Sequence, residues 1–319
     1  NIDDRCNEKY VKWVKEFESI RSSGSEKLNR ILDLLEKDNL NLQFDDSNFK
    51  INDTYFEDLR LSNNKIMNFI SNKTPLFLGG SADVSSSCKT NLKDGGIMSD
   101  DNPLGKNIFF GVRENAMGAI LNGMALTNLR VFSSCYLSFS DYLKPSLRMS
   151  SLMDLPITYI FTHDSLSSSK DGPTHEPIEE LSMLITTPNL TVLRPCDINE
   201  VIGSWEYIMK NRCPVALVIG NEGMPKYHNT NAKYVKYGAY MIKKEKYHLD
   251  GIIVSSGTDI SLAMETADDL FEEGIDLRVV SMPSVNLFLK QNPKYEEQLL
   301  DKSVKTFVIT SNNSLIWNR

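Results

Sequence analysis

The most constraining feature of the sequence is a succession of short apolar runs, each separated from the next by a stretch of helical periodicity. Between residues 75 and 220 the runs fall at Pro75 to Leu78, Asn107 to Val112, Arg130 to Leu137, Ile157 to Phe161, Leu190 to Leu193 and Val215 to Ile219. Helical spacing predicts helices over Ala116 to Leu126, Asp141 to Leu152, Glu179 to Ile185 and Glu200 to Met209, the last capped by Asp197. Continuous β-branched and aromatic runs of this length suit strands buried on both faces. Their alternation with helices predicts an α/β fold with a doubly wound parallel sheet.

The flanking regions differ. In residues 1–50, Tyr10, Val11, Trp13, Val14 and Phe17 recur at helical spacing, and a second helix is predicted over Glu26 to Glu36. Two helices cannot enclose a core of their own, so this region reads as a helical arm that packs on another domain. Residues 51–228 form the main α/β domain. Residues 221–236, rich in Gly, Pro and Asn, read as a linker. Residues 236–319 begin a second α/β domain, with strands at Gly251 to Ser256, Leu277 to Ser281 and Thr306 to Thr310 and a helix over Ser261 to Phe271. These are too few elements for a closed domain, and the first residue is not Met, so the chain is expected to be part of something longer.

In open α/β sheets, ligands sit just past the carboxyl ends of the strands. The run at Ile157 to Phe161 ends in Thr162-His163-Asp164 and leads through a Ser-rich loop to Asp171-Gly172-Pro173-Thr174-His175-Glu176-Pro177. It thus carries two of the four His of the chain. A polar site is one reading; a capping His and an ordinary Asp-Gly-Pro turn are the other. No CxxC or HExxH accompanies these His, so their spacing does not point to zinc. Gly79-Gly80 opens a loop containing Ser81-Ala82-Asp83 and Ser85-Ser86-Ser87, either a ligand approach or a solvated turn. Glu114 falls in the first turn of an apolar helix. It is favourable there with the helix dipole, or it is a buried carboxylate that shares a proton with a ligand nitrogen. Tyr136, Phe139 and Tyr142 form an aromatic stripe, either core or a pocket for a ring.

Hydrophobic residues make up 41% of the chain and charged residues 24%, a globular balance rather than a disordered one. The net charge of −7 and the absence of basic runs interleaved with aromatics disfavour a nucleic-acid partner. No apolar run approaches the roughly 20 residues that span a bilayer, so no membrane role is expected. Five scattered Cys, an odd number, suit reduced thiols in a cytoplasmic protein.

The succession GGSAD, GVRENAMGAI, SDYL…RMSSLM, THDS…DGPTHEP, LRPCD and VVSMPS resembles transketolase, in the same order from Arg60 to Trp317. The resemblance implies a thiamine-diphosphate enzyme of the pentose phosphate pathway, built of α/β domains as a homodimer. Here the pyrimidine-binding domain would be complete and the C-terminal domain truncated. The diphosphate-binding domain is missing, and no GDG…N signature is present. Magnesium or calcium would therefore be held by residues outside this chain, with no metal ligand within it. The implied reaction moves a two-carbon ketol unit from a ketose phosphate to an aldose phosphate through the carbanion of the cofactor.

Residue by residue, Glu114 matches the glutamate that bonds the aminopyrimidine. Tyr136, Phe139 and Tyr142 match its aromatic pocket, and Asp83 an aspartate near the cofactor. His163 and His175 match catalytic histidines that contact the sugar, and Asp171 a residue that reads a sugar hydroxyl. Arg60 and Ser87 match residues that hold the sugar phosphate. The family's second phosphate arginine, in a Ser-Arg-Gln run, is replaced here by Gly220-Asn221-Glu222, and its Gly-Glu before Asp171 by Ser169-Lys170. These departures leave room for a related ketol transferase with an unphosphorylated or different acceptor, such as a dihydroxyacetone synthase. A non-catalytic protein of the same fold is the third reading.

Overall fold

A computed structural model describes residues 2–37, 42–44, 48–49, 51–52, 54–166 and 171–317. Two helices, α1 (Ile2–Ser22) and α2 (Glu26–Lys37), come first. A short strand β1 (Phe56–Asp58) leads into α3 (Leu59–Lys73), β2 (Phe77–Ser81), the one-turn α4 (Ser85–Cys88), β3 (Asn107–Phe109) and α5 (Glu114–Ala125). Then follow β4 (Arg130–Tyr136), α6 (Ser140–Leu152), β5 (Ile157–Thr162), α7 (Glu180–Ile185), β6 (Thr191–Leu193), α8 (Ile198–Lys210) and β7 (Val215–Ile219). Six of these strands form one parallel sheet in the order β3-β2-β4-β5-β7-β6.

Both faces of this sheet are covered, which is why its strands read as unbroken apolar runs. Successive side chains of a strand point to opposite faces. In β5, Ile160 joins the core with Phe77, Phe132, Leu217 and Trp205, while Tyr159 and Phe161 join the other with Val131, Leu143, Ala216 and Val218. Burying each such side chain contributes about 1.5–3 kcal/mol. The Trp205 indole is fully buried, and its Nε1–H donates to Asn63 Oδ1 at 2.7 Å.

The stretch expected to be a linker is structured. It contains β8 (Gly223–Pro225), which pairs antiparallel with β1, and a 3₁₀ segment (Ala232–Tyr237) packed on α8. The second sheet consists of β9 (Tyr240–Lys243), β10 (Gly251–Ser255), β11 (Leu277–Ser281) and β12 (Lys305–Val308), in the order β12-β10-β11-β9. Helices α9 (Ile260–Glu272), α10 (Val285–Phe288) and α11 (Pro293–Leu299) accompany it. The antiparallel edge strand β9 is an addition to the expected strands. Its four residues alternate buried and half-buried, a pattern too short to stand out in a sequence.

A buried carboxylate ties the two sheets. Glu200 on α8 accepts from Tyr240 Oη at 2.8 Å, Ser281 Oγ at 2.6 Å and the Cys196 amide at 2.8 Å. Asp197 caps α8 as expected, accepting from the Glu200 amide at 3.0 Å. In the arm, Arg21 joins α1 to α2 through Asp33 and Glu36, and Asn128 Nδ2 donates to the Leu35 carbonyl at 2.7 Å. The arm thus meets the first sheet's unit through α2, while α1 buries none of its residues and leaves Tyr10, Val11 and Trp13 exposed.

Candidate functional site

The residues past the carboxyl ends of the parallel strands converge around Arg60. Asp58 caps α3 by accepting from the Arg60 amide at 2.9 Å, and its carboxylate also grips the Arg60 guanidinium, with Nη2 to Oδ2 at 2.6 Å. Arg60 Nη1 then donates to the Ser87 carbonyl at 3.0 Å and faces His163 Nε2 at 3.5 Å. Nη2 reaches the Asn221 carbonyl at 3.4 Å. One guanidinium therefore joins the end of β1, the α4 turn after β2 and the segments after β5 and β7, and Asp58 is a partner that the sequence reading missed.

His163 is 5% exposed and has a φ of +59°, uncommon for a residue with a side chain. Its Nδ1 lies 2.9 Å from Thr162 Oγ1, which in turn donates to Cys88 Sγ at 3.2 Å. That chain of donors fits the Nδ1–H tautomer, with the Nε2 lone pair directed at Arg60. Burial brings the pKa of His163 down to about 4; the Arg60 charge adds to this, and Asp171 and Asp58 oppose it. The imidazole is neutral near pH 7 and serves as an acceptor at Nε2.

Tyr136, at the end of β4, lies between the two histidines. Its ring is 3.9 Å from that of His163 and 5.8 Å from that of His175, and it stacks on Phe139 at 5.5 Å. His175 meets Phe139 edge-on at 5.2 Å, and its Nδ1 is 2.8 Å from Thr174 Oγ1. Gly172, at φ +82°, makes the turn that places His175, whose amide donates to the Gly172 carbonyl at 3.0 Å. Glu114 opens α5 and is 8% exposed. Its charge acts on Cys135, the residue before Tyr136, and no described residue donates a hydrogen bond to its carboxylate.

Other expected residues are more peripheral. Tyr142 is 65% exposed and 6.1 Å from Phe139; together with Pro173, Asp141 and Glu180 these rings line a groove of about 190 Å³. Asp83 is exposed, at a φ of +68°, and makes no hydrogen bond to the other site residues among those described. Asp171 is exposed but near enough for its charge to act on His163. Ser169 and Lys170 lie outside the described residues. Asp141, Glu179 and Glu180 bring ligand atoms within 4.8 Å of one another at the rim of the groove.

A stacked aromatic pair, two imidazoles, an arginine and, on the helix after β3, a carboxylate lie past the carboxyl ends of a doubly wound sheet, where such sheets hold ligands. Comparison with known proteins specifies the family. Residues 58–225 match the family model described as transketolase, pyrimidine binding domain, and residues 238–319 the transketolase-like C-terminal domain. The chain belongs to the transketolase family. It is 42% identical over 267 residues to the transketolase of Bacillus subtilis, a match covering 82% of this chain and 40% of the relative. It is similar to the transketolase structure from Campylobacter jejuni (34% identity, TM-score 0.81) and to a Pichia stipitis transketolase variant in complex with fructose 6-phosphate (28%, TM-score 0.86). Both matches cover 98% of this chain and 47% of the other. The chain thus spans about two fifths of the length of the curated relatives it matches.

Proposed function

We propose that this chain supplies the pyrimidine-binding half of a transketolase active site, which transfers a two-carbon ketol unit between sugar phosphates. The observation that carries this reading is the convergence of Tyr136, Phe139, His163, His175 and Arg60 past the carboxyl ends of the strands, with Glu114 opening the helix that follows β3. Family membership and the fructose 6-phosphate complex of a structural relative add support.

The residues fit the pyrimidine end of thiamine diphosphate. Glu114 is 8% exposed at the head of α5, and no described residue donates to its carboxylate, so an aminopyrimidine nitrogen would be its partner. When bound, the cofactor supplies the carbon nucleophile of the reaction. Glu114 would hold and exchange a proton with the ring nitrogen, and Tyr136, Phe139 and Tyr142 would orient the ring, with Asp83 nearby. His163 Nε2 and His175 would meet sugar hydroxyls, Asp171 would read one more, and Arg60 with the Ser87 loop would attract a phosphate. Residues that hold the diphosphate and its magnesium or calcium are assigned to the diphosphate-binding region of longer relatives, with a homodimer in the cytoplasm as the working form.

A second reading, a ketol transferase with a weaker demand for phosphate, is favoured by one observation. The Arg60 guanidinium is already gripped by Asp58, and the loop after β7 gives it a carbonyl at Asn221.

The test is Glu114→Gln in the complete enzyme, with fructose 6-phosphate as donor and an aldose phosphate as acceptor. Loss of most turnover with an unchanged melting temperature is expected, because the amide keeps the size of the side chain but not its proton exchange. Near-normal turnover at saturating thiamine diphosphate would overturn the proposal.

A further inference from the structure

Asp164 follows His163 directly and faces away from the ligand edge. It is fully buried and is held by Arg194, directly after β6, and by Thr258 and Asn312 of the second α/β unit. Its Oδ2 accepts from Arg194 Nε at 2.7 Å, its carboxylate lies 3.4 and 3.5 Å from Thr258 Oγ1, and its carbonyl accepts from Asn312 Nδ2 at 3.1 Å. Arg194 is 2% exposed and is fixed from the other side. Its Nη1 donates to Asp259 Oδ2 at 2.7 Å and to Ser256 Oγ at 3.3 Å, and its carbonyl accepts from the Gly257 amide at 3.1 Å. Asp259 is itself held by the amide of Ser311 at 3.1 Å. The space is full: a Cβ on Gly220 would lie 2.3 Å from Thr258 Cγ2 and 3.2 Å from Asp164 Oδ1.

His163 therefore takes its uncommon backbone conformation one peptide bond away from a residue clamped between two units. We infer that Asp259 and Asn312 of the second unit, the former through Arg194 at the end of β6, are positioning residues: through Asp164 they set where His163 Nε2 points, so the second unit tunes ligand binding without touching the ligand. A buried arginine with a carboxylate on each side is rigid. Displacement of either carboxylate is passed to the backbone of Asp164 rather than absorbed by solvent. The inference rests on the reading above that His163 meets the sugar.

Asp259→Asn and Asn312→Ala test it, Asn312→Ala being the gentler change. In the 319-residue chain, the ring resonances of His163 should shift in both variants. They should stay in place in Asp268→Ala, which removes an exposed pair with Lys243 in the same unit. An unmoved His163 ring in the first two overturns the positioning role whatever the activity. In the complete enzyme, each variant should raise KM for fructose 6-phosphate about tenfold with little change in kcat or in thiamine diphosphate affinity, and Asp259→Glu should recover most of it. Added to His163→Ala, Asp259→Asn should cost nothing further. Additive effects would also overturn the inference. A His163→Ala enzyme with normal KM would instead sink the assignment of His163 to the sugar.

Discussion

The depressed pKa of His163 makes a prediction about acid stability that needs no substrate. The folded chain resists protonating this imidazole until about pH 4, because of burial and then Arg60. The unfolded chain protonates it near 6.5. Acidification therefore favours the unfolded state: the penalty begins below pH 6.5 and grows until the folded imidazole itself titrates near 4. Between pH 7.5 and 5.0 these two values imply a loss of about 2 kcal/mol. Asp197 works in the opposite sense. Burial, aided by the neighbouring Glu200 charge, raises its pKa to about 7, so the folded state holds a proton that the unfolded state releases. Over the same interval its contribution is of comparable size and stabilising on acidification. The parent's net slope combines such opposing groups, so the histidine is read from the difference between parent and variant. Urea unfolding of the chain and of His163→Gln, at both pH values, isolates the histidine. The variant should gain about 2 kcal/mol relative to the parent on moving from pH 7.5 to 5.0, whatever its offset at pH 7.5. Parallel profiles, or a His163 resonance that titrates near 6.5, would refute the reasoning.

Three further outcomes are expected. Arg194→Met should destabilise the chain by about 3–5 kcal/mol in urea melts, because it leaves Asp164 and Asp259 buried without their cation. A thiol reagent at pH 8 should label Cys6 first and Cys213 slowly. Burial raises the Cys88 thiol to about 12 and Cys135 and Cys196 well above their ordinary value, so these three should react only on unfolding. In the complete enzyme, Asn221→Arg combined with Glu222→Gln should lower KM for phosphorylated sugars about tenfold and leave plain sugars unchanged. Equal effects on both would mean that position 221 does not face the phosphate.

What could be read from the sequence follows the range over which each signal acts. Strands β5 and β7 were legible because a strand buried on both faces is an unbroken apolar run, a local property. Asp197 was legible as a cap because its partner, the Glu200 amide, is three residues away. Strand β8 was hidden because its three residues carry no run of their own, and its partner lies at the other end of the unit. His163 and His175 drew notice by rarity and by position at a strand end, and the structure brings both rings against Tyr136. The Asp164–Arg194–Asp259 network left no local trace, because its members are 30 and 65 positions apart. The Arg60–Asp58 grip could have been suspected from a cap two residues before an arginine, although nothing in the spacing separates it from an ordinary helix start.

The pairing of β1 with β8 has a consequence for how the chain acquires its site. Phe56 to Asp58 lie opposite Gly223 to Pro225, so the ribbon closes a loop of about 165 residues with only three residues on each side. Loop closure on that scale costs several kcal/mol of chain entropy, about 4–5 by the logarithmic rule, and so short a ribbon cannot meet that cost until the sheet between its ends has formed. Arg60 sits two residues after β1 and Asn221 two before β8, so the corner where the guanidinium meets both segments is completed last. A nascent or partly denatured chain can hold most of the sheet and still lack this corner, so the anion grip proposed for Arg60 would mark the end of folding rather than its beginning.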